Sequence, residues 1–468
     1  MKWRAAAWAA AAIMAAAVSF SVLRIPIQVP DSLVVLLQVQ AAPSAALTNF
    51  VNESGFLRPV YMAQSRVLLD AAGGQHYFLV FRGFHAALVV MLFVLFVLAL
   101  PVRSRDEFAA FAFALLVLTG IHTFRGNVWE SFPVNHYLEI AICCLGALLV
   151  SQSRGGWWAD LFALLLFVTA SLTIESGLLV FVVVLTARLV GLRGVSWWGI
   201  GLVTIALLAY GYIRFIHLST GMPDLDEREV GFGLGRLQRG DIAARFGNAP
   251  YLLYAYNVIA SILSVVASEP RGGTFEMTRG WLAGELPPAA VASLLSAITA
   301  TGLLVWFAAA RWRVWRTRRF ERDDQILLIF AAVTAANAAI CYAYTKDEIM
   351  STAGVFYALA VFAAARAAIV RFAQIPRGAL VSAAFAALLL VSSASWAIRA
   401  TGLHYHLYYS AYYLRNEWVD VDQWLREQRV EVKTPEAARL VENLRVAAVD
   451  MPMLHPFFLP RWAERWLA

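Results

Sequence analysis

Carboxylates and guanidinium groups that border long apolar runs are where this chain could do chemistry. In "RIPIQVPDSLVVLLQ", residues 24–38, Asp31 stands just beyond an Ala-rich apolar run, and the next acid is Glu53. Proline then aspartate ahead of an apolar run suits a helix N-cap. A carboxylate held at a wet interface also suits a general base, and the two roles are compatible. Arg58 and Pro59 open the next helix in "FVNESGFLRPVYMAQSRVLL", with Arg66 eight residues on. Proline fits the first helical turn. The arginines read either as helix-end charges that snorkel or as cations that hold a phosphate at headgroup level.

Further polar groups follow the same pattern. His85, with His76 and Arg82, marks the entry to the next apolar run. The short loop "GIHTFRGNVWESFPVNHYLE" carries His122, Arg125, Glu130 and His136, in a spacing that matches no familiar metal-ligand motif. Glu175, in "SLTIESGLLVFV", separates two apolar runs. Buried at mid-bilayer, such a charge costs about 2.5–3.5 kcal/mol on insertion scales, so a hairpin tip is the cheaper place. Lys346, Asp347 and Glu348 form a compact charge cluster late in the chain.

Lipid must be the solvent around these groups. The 468 residues are 60% hydrophobic and 15% charged, and mean hydropathy is +0.65. A soluble domain is nearer a quarter charged. Sixteen Trp and sixteen Tyr suit interfacial anchoring. The net charge of +7 comes from short basic clusters between apolar runs, the pattern of cytoplasmic loops and not of a nucleic-acid stripe. Cys143, Cys144 and Cys341 all lie in apolar runs, which excludes a disulfide framework or zinc spacing.

The fold expected is an all-α polytopic membrane protein with about eleven transmembrane helices. The apolar segments lie at 5–23, 81–101, 107–121, 136–151, 159–175, 177–192, 196–216, 286–309, 325–344, 352–370 and 379–397. Glu139, Arg188 and Arg366 intrude into them. The first is read as an uncleaved span, being longer than a signal peptide's apolar core. Orientation follows from Lys and Arg in short loops. "MKWR", "RSRDE", "SQSRGG" and "RLVGLRG" fall on one side with six arginines between 311 and 322, and that side is cytoplasmic. Segment 251–268 is apolar enough to cross, yet crossing would put the Arg-rich loop outside, so it reads as an interfacial or re-entrant helix. Large loops at 24–80 and 217–285 are then non-cytoplasmic. Residues 1–397 form the membrane module. Residues 398–468 form a small α/β tail on the outer side: a helix at 417–428, a second from "TPEAARLVENL", and a strand-like "RVAAVDMP" at 445–452. The N-terminus is expected in the cytoplasm and the location is the cell (inner) membrane.

Asp31, "GFLRPV" at 55–60, His85 and "TIESG" at 173–177, in that order, resemble the C-type-fold (GT-C) membrane glycosyltransferases, near the protein O-mannosyltransferase and lipid-A arabinose transferase group. The first loop here carries a single acid, Asp31 followed by Ser32, where the family often has a pair. The resemblance implies a polyprenyl-phosphate sugar as donor, a glycan, lipid or protein acceptor, and inverting transfer at the outer face. It implies Asp31 as base, Arg58, Arg66 and Lys346 on the donor phosphate, and Glu175 as a second catalytic group. Glu53, His85, Arg125 and Glu130 are further candidates for holding the acceptor or the loops. No cofactor is expected; a divalent metal is left open, and no metal ligands are assigned. The alternative is a transporter or flippase of a lipid-linked or anionic solute. It predicts charges at mid-span and symmetry between halves.

Overall fold

The computed structural model describes residues 2–30, 32–128, 134–218, 228–230, 235–237, 239–247, 249–268, 273–285, 288–343, 345–373 and 379–450. Asp31 and Glu130 lie outside the described residues, as does the side chain of Glu53. The chain is an all-α, multi-pass membrane protein. Helix α1 (Lys2–Val22) leads to three shorter helices, α2 (Leu33–Ala41), α3 (Pro43–Ser54) and α4 (Pro59–Ala72). There follow α5 (Tyr77–Ala99), α6 (Arg105–Gly120), the single turn α7 (Arg125–Val128), α8 (His136–Ser151), α9 (Trp157–Ser171), α10 (Leu179–Leu189) and α11 (Trp197–Gly211). A two-stranded antiparallel hairpin, Arg228–Val230 with Gly235–Leu237, precedes α12 (Arg239–Phe246), α13 (Pro250–Val266) and α14 (Gly273–Leu282). The rest comprises α15 (Pro288–Trp315), α16 (Arg322–Ile340), α17 (Ser351–Ala373), α18 (Ala379–Val419), α19 (Val421–Glu427) and α20 (Pro435–Val449).

Among the described residues, seven helices are long and apolar enough to cross a bilayer, or eight if α6 and its continuation, bent by 65°, count as one span. Each of the eleven expected segments contains a helix. Those at α8, α9 and α10 have only 16, 15 and 11 residues, short of the ~20 that a full crossing needs. Lipid-facing surfaces are visible as large apolar side chains left bare: Trp158, Phe162 and Leu165 on α9, Leu202, Ile205 and Leu208 on α11, and Leu388, Leu390 and Val391 on α18. In water such contiguous exposure would be unfavourable; in a bilayer it is the outer wall.

The basic loops meet at one end of the bundle. Arg366 of α17 lies 3.3 Å from Glu107 of α6 and 2.5 Å from Asp323 of α16. Arg311 grips the buried Asp324 with two hydrogen bonds of 2.9 and 2.7 Å, and Trp315 donates to the same carboxylate at 2.9 Å. Arg322 donates to the Ala99 carbonyl at the end of α5, 3.0 Å away. The intruding Arg366 is therefore a tie between three helices and not a boundary defect.

The loops of the other end form a second core. Ile27, Val29, Leu33, Leu36, Tyr61 and Met62 pack with Trp418, Val421, Leu440 and Leu444. The first long loop and the C-terminal tail thus fold together as one cap. Trp418 Nε1 donates to the Ile27 carbonyl at 2.6 Å, and Glu417 accepts from the Val29 N–H at 3.1 Å. The tail departs from expectation in two ways. Helix α18 does not stop near residue 397 but runs 41 residues to Val419, about 60 Å at 1.5 Å per residue. That is twice the hydrocarbon thickness of ~30 Å, so half of it stands clear of the membrane as a stalk. Residues 445–449, expected as strand, are the last turns of α20. The described tail is helical, because Leu440, Val441, Leu444 and Ala448 recur at helical spacing and face the cap. Segment 251–268 is helical as α13, held beside the end of α16 by Asn257 donating to the Tyr342 carbonyl at 2.9 Å.

Two outcomes check this arrangement. All three native cysteines are buried, so introduced thiols dominate labelling. A cysteine at the exposed Asn52 is expected to react with an impermeant reagent outside intact cells, and one at the exposed Arg316 only after permeabilisation; reaction of both from the same side would overturn the assignment of ends. Asp324→Asn should cost about 1–3 kcal/mol of stability, since it removes the charge that accepts from Arg311 and Trp315 and leaves Arg311 only Glu321 at 3.0 Å, and this is measured as a fall in unfolding midpoint.

Candidate functional site

At the cap end, the chain leaves α3 through Gly55, which takes the left-handed conformation at φ 70°, and enters α4 at Pro59. The three residues between them include Phe56 and Arg58. The Val60 N–H donates to the Leu172 carbonyl at 3.0 Å, which fastens the start of α4 to the end of α9. Arg58 then meets the turn between α9 and α10. Its Nη2 lies 2.8 Å from Glu175 Oε2. Glu175 begins the one-turn helix Glu175–Leu178, folded back so closely that a Cβ on Gly177 would overlap the Ala170 carbonyl. Glycine two residues after the acid is what lets the hairpin tip turn there.

A third residue completes the cluster. Arg214 Nη1 lies 3.2 Å from the other oxygen of Glu175, and the same nitrogen donates to the Tyr210 hydroxyl at 2.9 Å. Arg214 sits in a π-helical turn, Tyr212–His217, that continues α11. Such turns add a residue to the helix and are frequent at functional sites. The Phe56 ring lies 4.5 Å from the Arg58 guanidinium and 5.4 Å from that of Arg214. Two guanidinium groups and one carboxylate, all less than a fifth exposed, leave the triad with a formal charge of +1.

Neighbouring polar groups extend it. His136, buried at the start of α8, packs edge-on to Tyr61 and Tyr137 with centroids 5.8 and 4.5 Å away. The charges of both Arg58 and Lys346 reach it. Lys346 occupies the position before the one-turn helix Asp347–Met350. One turn beyond His136, Glu139 accepts from Gln64 of α4 at 2.9 Å. Arg58, Glu175 and Lys346 therefore share one end of the bundle, as expected from sequence, and Arg214, Tyr210, His136 and Glu139 join them.

The remaining candidates lie elsewhere or serve other ends. Arg66 pairs with Asp70 at 3.0 Å and donates to the Val39 and Gln40 carbonyls at 3.2 and 2.9 Å, capping α2. It ties α4 to α2 within the cap. His85 is buried in α5, 2.9 Å from the Asn127 carbonyl and 3.2 Å from Arg82, and it pins α5 to α7. Arg125 begins α7 and lies 3.5 Å from the buried Glu348. Asp31, Glu130 and the Glu53 side chain are outside the described residues. The N-cap of α2 is Ser32, whose side chain makes no capping bond, so the helix starts one residue later than the Pro-Asp pattern suggests. Among the described residues no three His, Cys, Asp or Glu side chains converge as a metal site would need.

The missed residues had a weak signal. Arg214 is a charge inside an apolar segment, "YGYIRFIHL", of the kind that is expensive and functional by default. Compared with known proteins, the chain matches no protein-family model, no curated protein sequence and no solved structure.

Glu175→Gln should weaken both ion pairs together. In a double-mutant cycle with Arg214→Met, the coupling read from unfolding midpoints in detergent is expected at about 1–3 kcal/mol. A coupling near zero would show that the two side chains do not act as a unit.

Proposed function

We propose that the protein is a membrane glycosyltransferase that moves a sugar from a polyprenyl-phosphate donor to an acceptor at the non-cytoplasmic face, with inversion. The observation that carries this reading is the pair of guanidinium groups, Arg58 and Arg214, on Glu175, under a helical cap and opposite the Arg-rich end, with Lys346 near His136 at the same end. A lipid-linked phosphosugar presents its tail to the bilayer and its phosphate at such a level.

The chemistry asked of the site is a single displacement. The acceptor hydroxyl oxygen attacks the anomeric carbon as the bond to the phosphate oxygen breaks. The bonding electron pair leaves on the phosphate, and the hydroxyl proton passes to a base. Asp31 is the base in this proposal, as the first acid beyond the opening apolar run. Arg58, Arg214 and Lys346 stabilise the charge that develops on the departing phosphate. Preorganised donors in a water-poor site do this well because they need not reorganise. Glu175 holds two guanidinium groups in place and so positions them, without itself touching the reacting atoms. Arg66, committed to the α2 carbonyls, has no part in this scheme.

Mass spectrometry of envelope glycans and glycolipids from cells with and without the protein tests the reading. A sugar-bearing product should disappear on deletion, return with the wild type, and stay absent or fall about 10²–10⁴-fold with Asp31→Asn at normal membrane levels. Arg214→Met should lower transfer by ~10² or more. An unchanged glycan profile would overturn the assignment; loss of solute movement in its place would point to a carrier of lipid-linked or anionic solutes.

A further inference from the structure

The basic end carries a second kind of arginine, one that no carboxylate holds. Arg154 lies in the loop between α8 and α9, Arg188 in the last turn of α10, and Arg193 in the loop that leads to α11. Arg154 and Arg193 are exposed and Arg188 is half-buried. Among the described residues, none of the three guanidinium groups forms an ion pair or a hydrogen bond. Arg188 lies 5.4 Å from the ring of Trp197, a contact that attracts the cation without neutralising it.

The fold gathers these charges. The Gly194 N–H donates to the Ser151 carbonyl at 2.9 Å, and a Cβ on Gly194 would overlap the Val150 carbonyl. A Cβ on Gly155 would stand 3.2 Å from the Arg193 carbonyl. The loops of Arg154 and Arg193 are thus interlocked at glycines, where backbone can meet backbone. Asp160 of α9 ties in the start of α11, accepting from the Ser196 N–H at 2.7 Å and from its hydroxyl at 2.6 Å. It is the one acid in these loops and the helix starts beside them, so three arginines stand against a single carboxylate already engaged. Gln325 of α16 donates to the Val190 carbonyl at 3.1 Å and Arg322 to the Gln152 side chain at 3.2 Å, which fixes the patch at the basic end.

Indole rings border the patch. Trp157 and Trp158 open α9, Trp197 and Trp198 open α11, and each is more than half exposed. Each pair continues into the lipid-facing wall, through Phe162 and Leu165 on α9 and Leu202 and Ile205 on α11. Tryptophan at the end of an apolar wall marks the headgroup level. The loops just beyond it are therefore at the depth of lipid phosphates.

We propose that these two loops and four indoles form a binding surface for an anionic glycerophospholipid, in the leaflet at the basic end. The arginine forks take the phosphate diester, and the indoles pack on the glycerol and the upper acyl chains. Charge selects the lipid. A zwitterionic headgroup brings its own ammonium, which three unpaired guanidinium groups repel, whereas an anionic headgroup supplies the charge they lack. Arginines that serve orientation alone need no fixed arrangement; here backbone contacts hold together the loops that carry them. The inference rests neither on glycosyl transfer nor on which side of the membrane this end faces.

The test uses the full chain, delipidated in detergent and titrated with dioleoylphosphatidylglycerol or dioleoylphosphatidylcholine at constant salt. Wild type should show a saturable rise in unfolding temperature that is larger with phosphatidylglycerol. One arginine at an anionic lipid surface is worth about fivefold in affinity. Arg193→Gln, at an exposed loop position, should therefore weaken phosphatidylglycerol binding about fivefold. Arg154→Gln, Arg188→Gln and Arg193→Gln together should weaken it about 10²-fold and leave phosphatidylcholine unaffected. Arg313→Gln, Arg316→Gln and Arg319→Gln together remove the same charge from exposed positions at the same end and should keep the response. Lipids brominated on the acyl chain give a second readout in wild type and Arg193→Gln. The phosphatidylglycerol form should quench wild-type tryptophan fluorescence more than the phosphatidylcholine form, and Arg193→Gln should narrow the gap. Equal responses of wild type to the two lipids overturn the proposal and leave an unselective aromatic belt. Equal loss in both triple variants overturns it in favour of general attraction to the basic end. A rise of the same size with glycerol phosphate overturns it in favour of a free phosphate compound.

Discussion

Among the described residues, the ion pairs of the apolar bundle lie at its two ends, and each end is closed by arginines that bridge helices distant in sequence. Hydrocarbon offers no water to an unpaired charge, so a helix that carries one must bring it to an end and meet a partner there. Arg366 joins α6, α16 and α17 at the basic end. Glu175 joins the start of α4 to the extension of α11 at the cap end. Apolar packing alone sets only loose register between membrane helices, because lipid chains are as apolar as leucine. The ion pairs fix how far each helix slides along its neighbour.

The cap end differs from the basic end in what its arginines face. Arg311 and Arg366 each have carboxylates within 3.3 Å, and their role is closure. At the cap end, Arg58 and Arg214 share one carboxylate, and Arg399 has none among the described residues. Aromatic rings help to hold these guanidinium groups in place. Phe56 contacts both guanidinium groups of the triad, and Trp396 contacts Arg399. A ring face attracts a cation without neutralising it.

Much of the architecture was legible because apolar run length and loop arginines are strong local signals. The eleven segments fall on helices, and the basic loops meet at one end. Arg58 and Glu175, 117 residues apart, come together as the polar residues flanking the same kind of boundary. What was not legible depended on tertiary contact. Nothing in "HYHLYYSAYYL" shows that α18 continues, since its aromatic residues suit a stalk or a loop equally. "RVAAV", 445–449, has the apolar content of a strand, and only the cap core makes it helix. Arg214 was hidden inside a segment whose hydropathy is dominated by its neighbours. Arg66 looked equivalent to Arg58, yet one faces the α9–α10 turn and the other the end of α2.

The turn Asp347–Met350 obeys the same rule at the cap end. It is held from behind by Asn337, which donates to the Ile349 carbonyl at 3.0 Å, and from the front by Glu348 against Arg125 at 3.5 Å. A buried carboxylate is tolerated in this turn because a guanidinium from α7 meets it.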